Sequence, residues 1–301
     1  MSNNAVAQQE LPNVSQLQPA EPFAGREPTL RDDLRRNPVV ILGLLVVFAW
    51  ILLALLAPTI APQDPLQQNV SNRLQAPNAD ALMGTDELGR DIFSRVLYGG
   101  RITIPAALAV VLVVSIVGTL AGALAGYIGG AWDELLMRLS DLFMAFPTII
   151  LAMAVTAALG AELRNAVLAL IVVRWPSYSR LTRGLVLEAK HQEYVEASRS
   201  LGAGHAHILG RTLLPNTIAP ALVYASLDVG NAILLFAGLS FLGLGPEPSS
   251  PEWGRMVSIG IDFFDQWWMW LFPGMAIATL VMAFNFIGDG LRDILDPRTR
   301  K

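Results

Sequence analysis

Long apolar runs alternate with short polar breaks from residue 39 to residue 287. Five of the runs, about 39–57, 104–127, 142–159, 218–244 and 271–287, approach the ~20 helical residues needed to cross ~30 Å of hydrocarbon. A sixth, about 164–181, is weaker. Its clearly apolar part, Ala166 to Val173, is too short alone and must gain length through Arg174, Trp175 and Pro176. The ten-residue alternation of a β-barrel is absent, so the pattern predicts an all-α membrane protein with six transmembrane helices. Pro147 is expected to kink the third. Between the first two runs, Met83 to Ile102 places Ile92, Val96 and Leu97 on one face, which predicts a short helix lying at the membrane surface. Residues 1–37 are rich in Gln, Pro, Asn and Glu and are expected to form a disordered tail, with residues 38–301 as one transmembrane domain.

The longest polar break in the second half is a hairpin, about 188–216, between the fourth and fifth runs. Tyr194, Ala197, Ser198 and Leu201 fall at i, i+3, i+4 and i+7 and make a small, weakly apolar stripe on a short helix. Gly202 supplies the stop, and Gly204 loosens the turn. A second segment from His205 to Leu214 is expected to end at Pro215. The stripe is too small to build a core of its own, so the hairpin reads as a docking element for another protein.

Composition agrees with a membrane location: 53% of the 301 residues are hydrophobic and 15% charged. With the amino terminus inside, fifteen of the 21 lysines and arginines fall on the cytoplasmic side, which places both termini and the hairpin in the cytoplasm. Trp267, Trp268 and Trp270 are expected to anchor the outer interface. A net charge of −4 with scattered basic residues argues against a nucleic-acid partner. There is no cysteine, and His205 and His207, two apart, do not share a helix face, so no metal site is expected.

Polar groups inside the runs carry information because they are costly in lipid. Asp228, Asn231 and Asn285 are expected to face the bundle interior or a water-filled path, either lining a translocation route or bonding between helices. Gly118, Gly122 and Gly126 are spaced for close helix packing. No G-x-x-x-x-G-K-S/T loop occurs, so the chain does not bind ATP through a P-loop. Nothing nominates a catalytic residue, and neither G-x-S-x-G nor H-E-x-x-H is present.

Glu196-Ala197-Ser198, three residues, Gly202, nine residues, then Thr212-Leu213-Leu214-Pro215 resembles the EAA signature of bacterial ABC importer permeases, E-A-A-x3-G-x9-I-x-L-P. Ser198 stands for the second alanine and Thr212 for the isoleucine. GTDELGRDIFSRVLYGGR from Gly84, LSFLGLGPEPSSPEWGRMV from Leu239 and AFNFIGDGLRDILDPR from Ala283 are similar to the second permease of dipeptide and oligopeptide importers, the DppC/OppC type. Nickel and glutathione importers share these stretches, and a non-transport scaffold using the same hairpin is the alternative from another class. The resemblance implies a non-catalytic subunit of the bacterial inner membrane without a cofactor. It implies as partners a homologous DppB/OppB-type permease, two ABC ATPase subunits and an extracytoplasmic peptide-binding protein. It assigns ATPase coupling to Glu196, Ala197, Ser198, Leu201, Gly202, Ala203 and Pro215.

Overall fold

The computed structural model describes residues 37–295; the expected tail, residues 1–37, lies outside them but for Asn37. Nine helices organise the described residues: α1 Pro38–Ile60, α2 Ile92–Ile128, α3 Gly130–Met144, α4 Thr148–Leu159, α5 Leu163–Ala189, α6 Glu193–Ser200, α7 Leu214–Phe241, α8 Trp253–Asp262 and α9 Trp268–Leu295. No strand occurs among the described residues, only an isolated bridge between Thr85 and Asp91.

The core lies where α2, α5, α7 and α9 meet, around Val110, Leu170, Ile233, Phe236 and Leu280. Helices α2 and α5 form the most extensive pair, and glycine makes it so. A Cβ on Gly122 would sit 2.1 Å from the Ser179 carbonyl oxygen, and one on Gly118 would sit 2.5 Å from the Tyr178 Cβ. Small residues at a four-residue spacing thus let the two backbones touch. Helix α1 lies at the edge, touching α9 and α2 through Val40, Gly43, Ala54 and Ala57 and exposing the rest of its apolar surface.

Among the described residues, four stretches are long and apolar enough to cross a membrane: α1, α2, a continuous one over His205–Phe241 that contains α7, and α9. A fifth crossing is reached if α3 and α4 count as one span, and α5 is not among them. The expected kink at Pro147 is a break: α3 and α4 meet at 90° across Ala145 to Pro147. Proline disfavours helical backbone in the residue before it, and here α4 restarts with Pro147 at its N-cap.

The expected surface helix does not form separately. Residues 83–91 are irregular, Asp91 caps Ser94 N at 2.7 Å, and α2 then runs unbroken for 37 residues. Ile92, Val96 and Leu97 are buried in protein instead of lying on lipid. The tryptophan expectation also changes at one position. Trp267 is exposed, but Trp268 is buried and its indole donates to the Thr85 carbonyl at 3.1 Å, because a buried N–H requires a partner.

Candidate functional site

Helix α5 ends at Ala189, and after a short turn α6 begins at Glu193. The end of α6 is a Schellman motif. Gly202 takes φ +82°, its N–H donates to the Arg199 carbonyl at 3.0 Å, and the Ala203 N–H reaches the Ser198 carbonyl at 3.1 Å. Only glycine occupies that backbone region without a Cβ penalty, which explains its place at this turn. The second arm starts with a helical turn at His205–His207, widens to a π-helix over Ile208–Leu213 and continues into α7. Pro215 therefore does not end the arm. It lies just after the π-helix, inside a helical stretch that runs from His205 to Phe241 without interruption.

The hairpin has two faces. On the inner one Val195, Ile208 and Leu213 are buried together against Ala123 of α2 and Val186 of α5, a small core of its own that the stripe pattern did not reveal. On the outer one Tyr194, Glu196, Ala197 and Gly202 are exposed, and Leu201 at the tip is 89% exposed. Ala203 is half-buried and Pro215 exposed. The two departures from the EAA signature meet: Ser198 Oγ and Thr212 Oγ1 are 3.5 Å apart across the hairpin.

Midway along the bundle, Asp228 of α7 is buried, forms an ion pair with Arg174 of α5 and accepts from the Tyr178 hydroxyl at 3.0 Å. A carboxylate there is tolerated because the neighbouring cation and hydroxyl replace water. Asn231 and Asn285 are exposed on this chain. The Asn285 side-chain amide oxygen Oδ1 lies 3.1 Å from where a Cβ on Gly230 would be, so the two asparagines sit at similar depth on adjacent helices.

The far end of α2 carries the densest charge. Arg95, 1% exposed, donates to the carbonyls of Pro65 at 2.9 Å, Ser249 at 3.2 Å and Ser250 at 3.1 Å, binding two separate loops to the helix. Asp86 accepts from Arg90 Nε at 2.6 Å. Glu252 caps α8 through the N–H groups of Gly254 and Arg255 and accepts from Thr103. Burial raises the carboxyl pKa of Glu252, and burial followed by the adjacent Asp86 raises that of Glu87. The sequence held a signal for this cluster in the charged run Asp86 to Arg95, but two of the three carbonyl partners of Arg95, those of Ser249 and Ser250, lie more than 150 residues away.

These features define a multi-pass helical membrane protein. Residues 118–301 match the family described as binding-protein-dependent transport system inner membrane component, and the chain belongs to it. Residues 30–77 match the N-terminal transmembrane domain of oligopeptide transport permease C. The chain is similar to the dipeptide transport system permease protein DppC of Escherichia coli, 44% identical over 89% of this chain and 91% of the relative. It is similar also to the probable D,D-dipeptide transport system permease protein DdpC of the same organism, 42% identical over 88% and 89%. DppC of Alkalihalophilus pseudofirmus is 42% identical over 89% and 88%. The protein is accordingly the membrane permease subunit of a transport system.

Proposed function

We propose that this chain is one of two homologous permeases in an ATP-driven importer of dipeptides or oligopeptides in the bacterial inner membrane. It crosses six times, with α3 and α4 together as the third crossing, α5 as the fourth, and the termini and hairpin in the cytoplasm. At 27 residues α5 has the length to cross, and its partly buried Arg174 is matched by Asp228. Two ATPase subunits inside and a peptide-binding protein outside complete the assembly, and this chain performs no catalysis. The observation that carries the reading is the hairpin. A large apolar side chain, Leu201, stands in solvent at the tip of a turn locked by Gly202, on an arm continuous with a spanning helix. Such a tip fits an apolar cleft, and force applied there passes directly into α7. Glu196, Ala197, Ser198 and Ala203 surround the tip, and Pro215 stiffens the junction. Asn231 and Asn285, exposed on this chain, are placed on the translocation path with Asp228 behind them.

The test is ATP-dependent dipeptide uptake by the reconstituted transporter. Leu201→Asp and Gly202→Asp are expected to reduce uptake at least ~10-fold and release the ATPase, while both chains still insert and Leu201→Asp, which leaves the strained turn position unchanged, melts normally. Undiminished uptake by both variants would sink the proposal.

A further inference from the structure

A second feature of the hairpin lies on its inner side, away from the proposed docking tip. Where α6 approaches the end of α2, an open cavity of about 370 Å³ is lined by Tyr127, Ile128, Lys190, Arg199 and His205. Arg199 is four residues after the buried Val195, so at 100° per residue it shares the inner face, roughly opposite Tyr194, Ala197 and Leu201. Neither Lys190 nor Arg199 makes an ion pair among the described residues. Lys190 donates to the Gly126 carbonyl at 3.2 Å, offsetting the negative end of α2, and retains further ammonium hydrogens. His205 Nδ1 lies 2.8 Å from the Tyr127 hydroxyl, leaving Nε2 for the opening. The nearby Asp133 is taken by Arg183, which bonds it at 2.7 Å. Three nitrogen-bearing side chains from separate segments thus surround one opening that no carboxylate lines among the described residues.

We infer that this cavity binds the phosphate headgroup of an anionic phospholipid. The shared chemistry is a singly charged phosphate, which a free phosphate ion also offers. The neighbouring surface favours the lipid: Leu120, Leu124 and Ile128 follow at four-residue spacing along α2, each about half exposed, and lead as an apolar strip to the cavity mouth. A headgroup held by Lys190 and Arg199 lays its acyl chains along that strip, because basic pockets at a membrane boundary select anionic lipid. The lipid fastens the inner face of the hairpin to the membrane while the outer face remains free. This inference rests only on the chain being a multi-pass membrane protein, not on its cargo or its ATPase.

The experiment is native mass spectrometry of the full chain in neutral detergent, titrated with phosphatidylglycerol or phosphatidylcholine. The wild-type chain is expected to retain phosphatidylglycerol ~10-fold better, and Arg199→Gln to lose on the order of five-fold of that preference. Lys190→Gln combined with Arg199→Gln is expected to abolish it. Arg138→Gln, at an exposed pair with Glu134 elsewhere on the surface, serves as the folded control and keeps it. Equal retention of the two lipids by the wild type, or an unchanged preference in the double variant, overturns the inference. Displacement of the lipid by inorganic phosphate at equal concentration also overturns it, assigning the cavity to a free anion.

Discussion

The two ends of α2 handle polarity in opposite ways. At the Asp91 end, charges are buried and apolar groups are inside with them: Arg95 and Asp86 are almost fully enclosed, and Trp253 is buried while donating to the Val96 carbonyl at 2.9 Å. At the Tyr127 end, the charges stay in solvent and a leucine joins them there. A buried guanidinium is expensive to leave unpaired, so the first end holds together only as a complete set of contacts and resists partial opening. The hairpin has a core of five small and medium side chains and a single turn motif, so it keeps its shape while leaving its surface to others. One end is built as a closure and the other as a contact.

Variants that break this contrast are expected to rank by how much buried charge they strand. Arg95→Ala leaves three carbonyls without their donor and removes the ion-pair contact of Arg95 with Asp86 at 3.6 Å, and is expected to cost about 3–5 kcal/mol and to collapse the yield of monodisperse protein in detergent. Arg138→Ala, at an exposed pair, should change melting by no more than about 1 kcal/mol. Asp228→Leu strands Arg174 within the bundle and is expected to lower thermal stability by a similar 3–5 kcal/mol, with Asp228→Asn retaining a large part. A melting curve for the Asn variant no better than for Leu would remove hydrogen bonding from the account of that site.

The pH response separates the ends more gently. Glu87 has its carboxyl pKa raised in the folded protein by burial and by Asp86. Its contribution to stability is therefore full below the ordinary value of 4.5 and is lost as pH rises through the folded value. Melting temperature should rise modestly from pH 7.5 to pH 5, and Glu87→Gln should flatten that rise. The smallest effect is expected at the hairpin, where Ser198→Ala and Thr212→Val are exchanged singly and together. A coupling of about 0.5 kcal/mol or less in the double-mutant cycle fits a hydroxyl contact as long as 3.5 Å.

Much of this architecture was legible in local pattern. Helices α1, α2, α7 and α9 follow from uninterrupted apolar runs, and the glycines of α2 announced a close helix contact, whose partner in the structure is α5. What local pattern misses is whatever depends on distant partners. The inward role of Val195 is set by Ile208, Leu213, Ala123 and Val186, none of them in its own helix. Trp268 resembles an interface anchor until Thr85 is brought beneath it, and Ile92 resembles a lipid-facing residue until α8 and α9 cover it. At Pro147 the sequence marks a disturbance, but whether it bends a helix or ends one depends on how α3 and α4 pack. The exposed residues of the hairpin were legible for the opposite reason: among the described residues no distant partner covers them.

The π-helix at Ile208–Leu213 gives the hairpin a defined angular setting. A π turn takes up about one residue more than an α turn, and one residue is worth about 100° of rotation. The segment therefore fixes the compass bearing of Leu201 relative to α7, and α7 is keyed in the bundle by the bond from Asp228 to Arg174. Rewinding those six residues as ordinary α-helix would turn the tip by roughly a quarter turn relative to α7 and would pull Ile208 and Leu213 away from Ala123 and Val186. The direction in which this protein presents its tip is thus recorded in helical winding, as torsion, and not in the looseness of a loop.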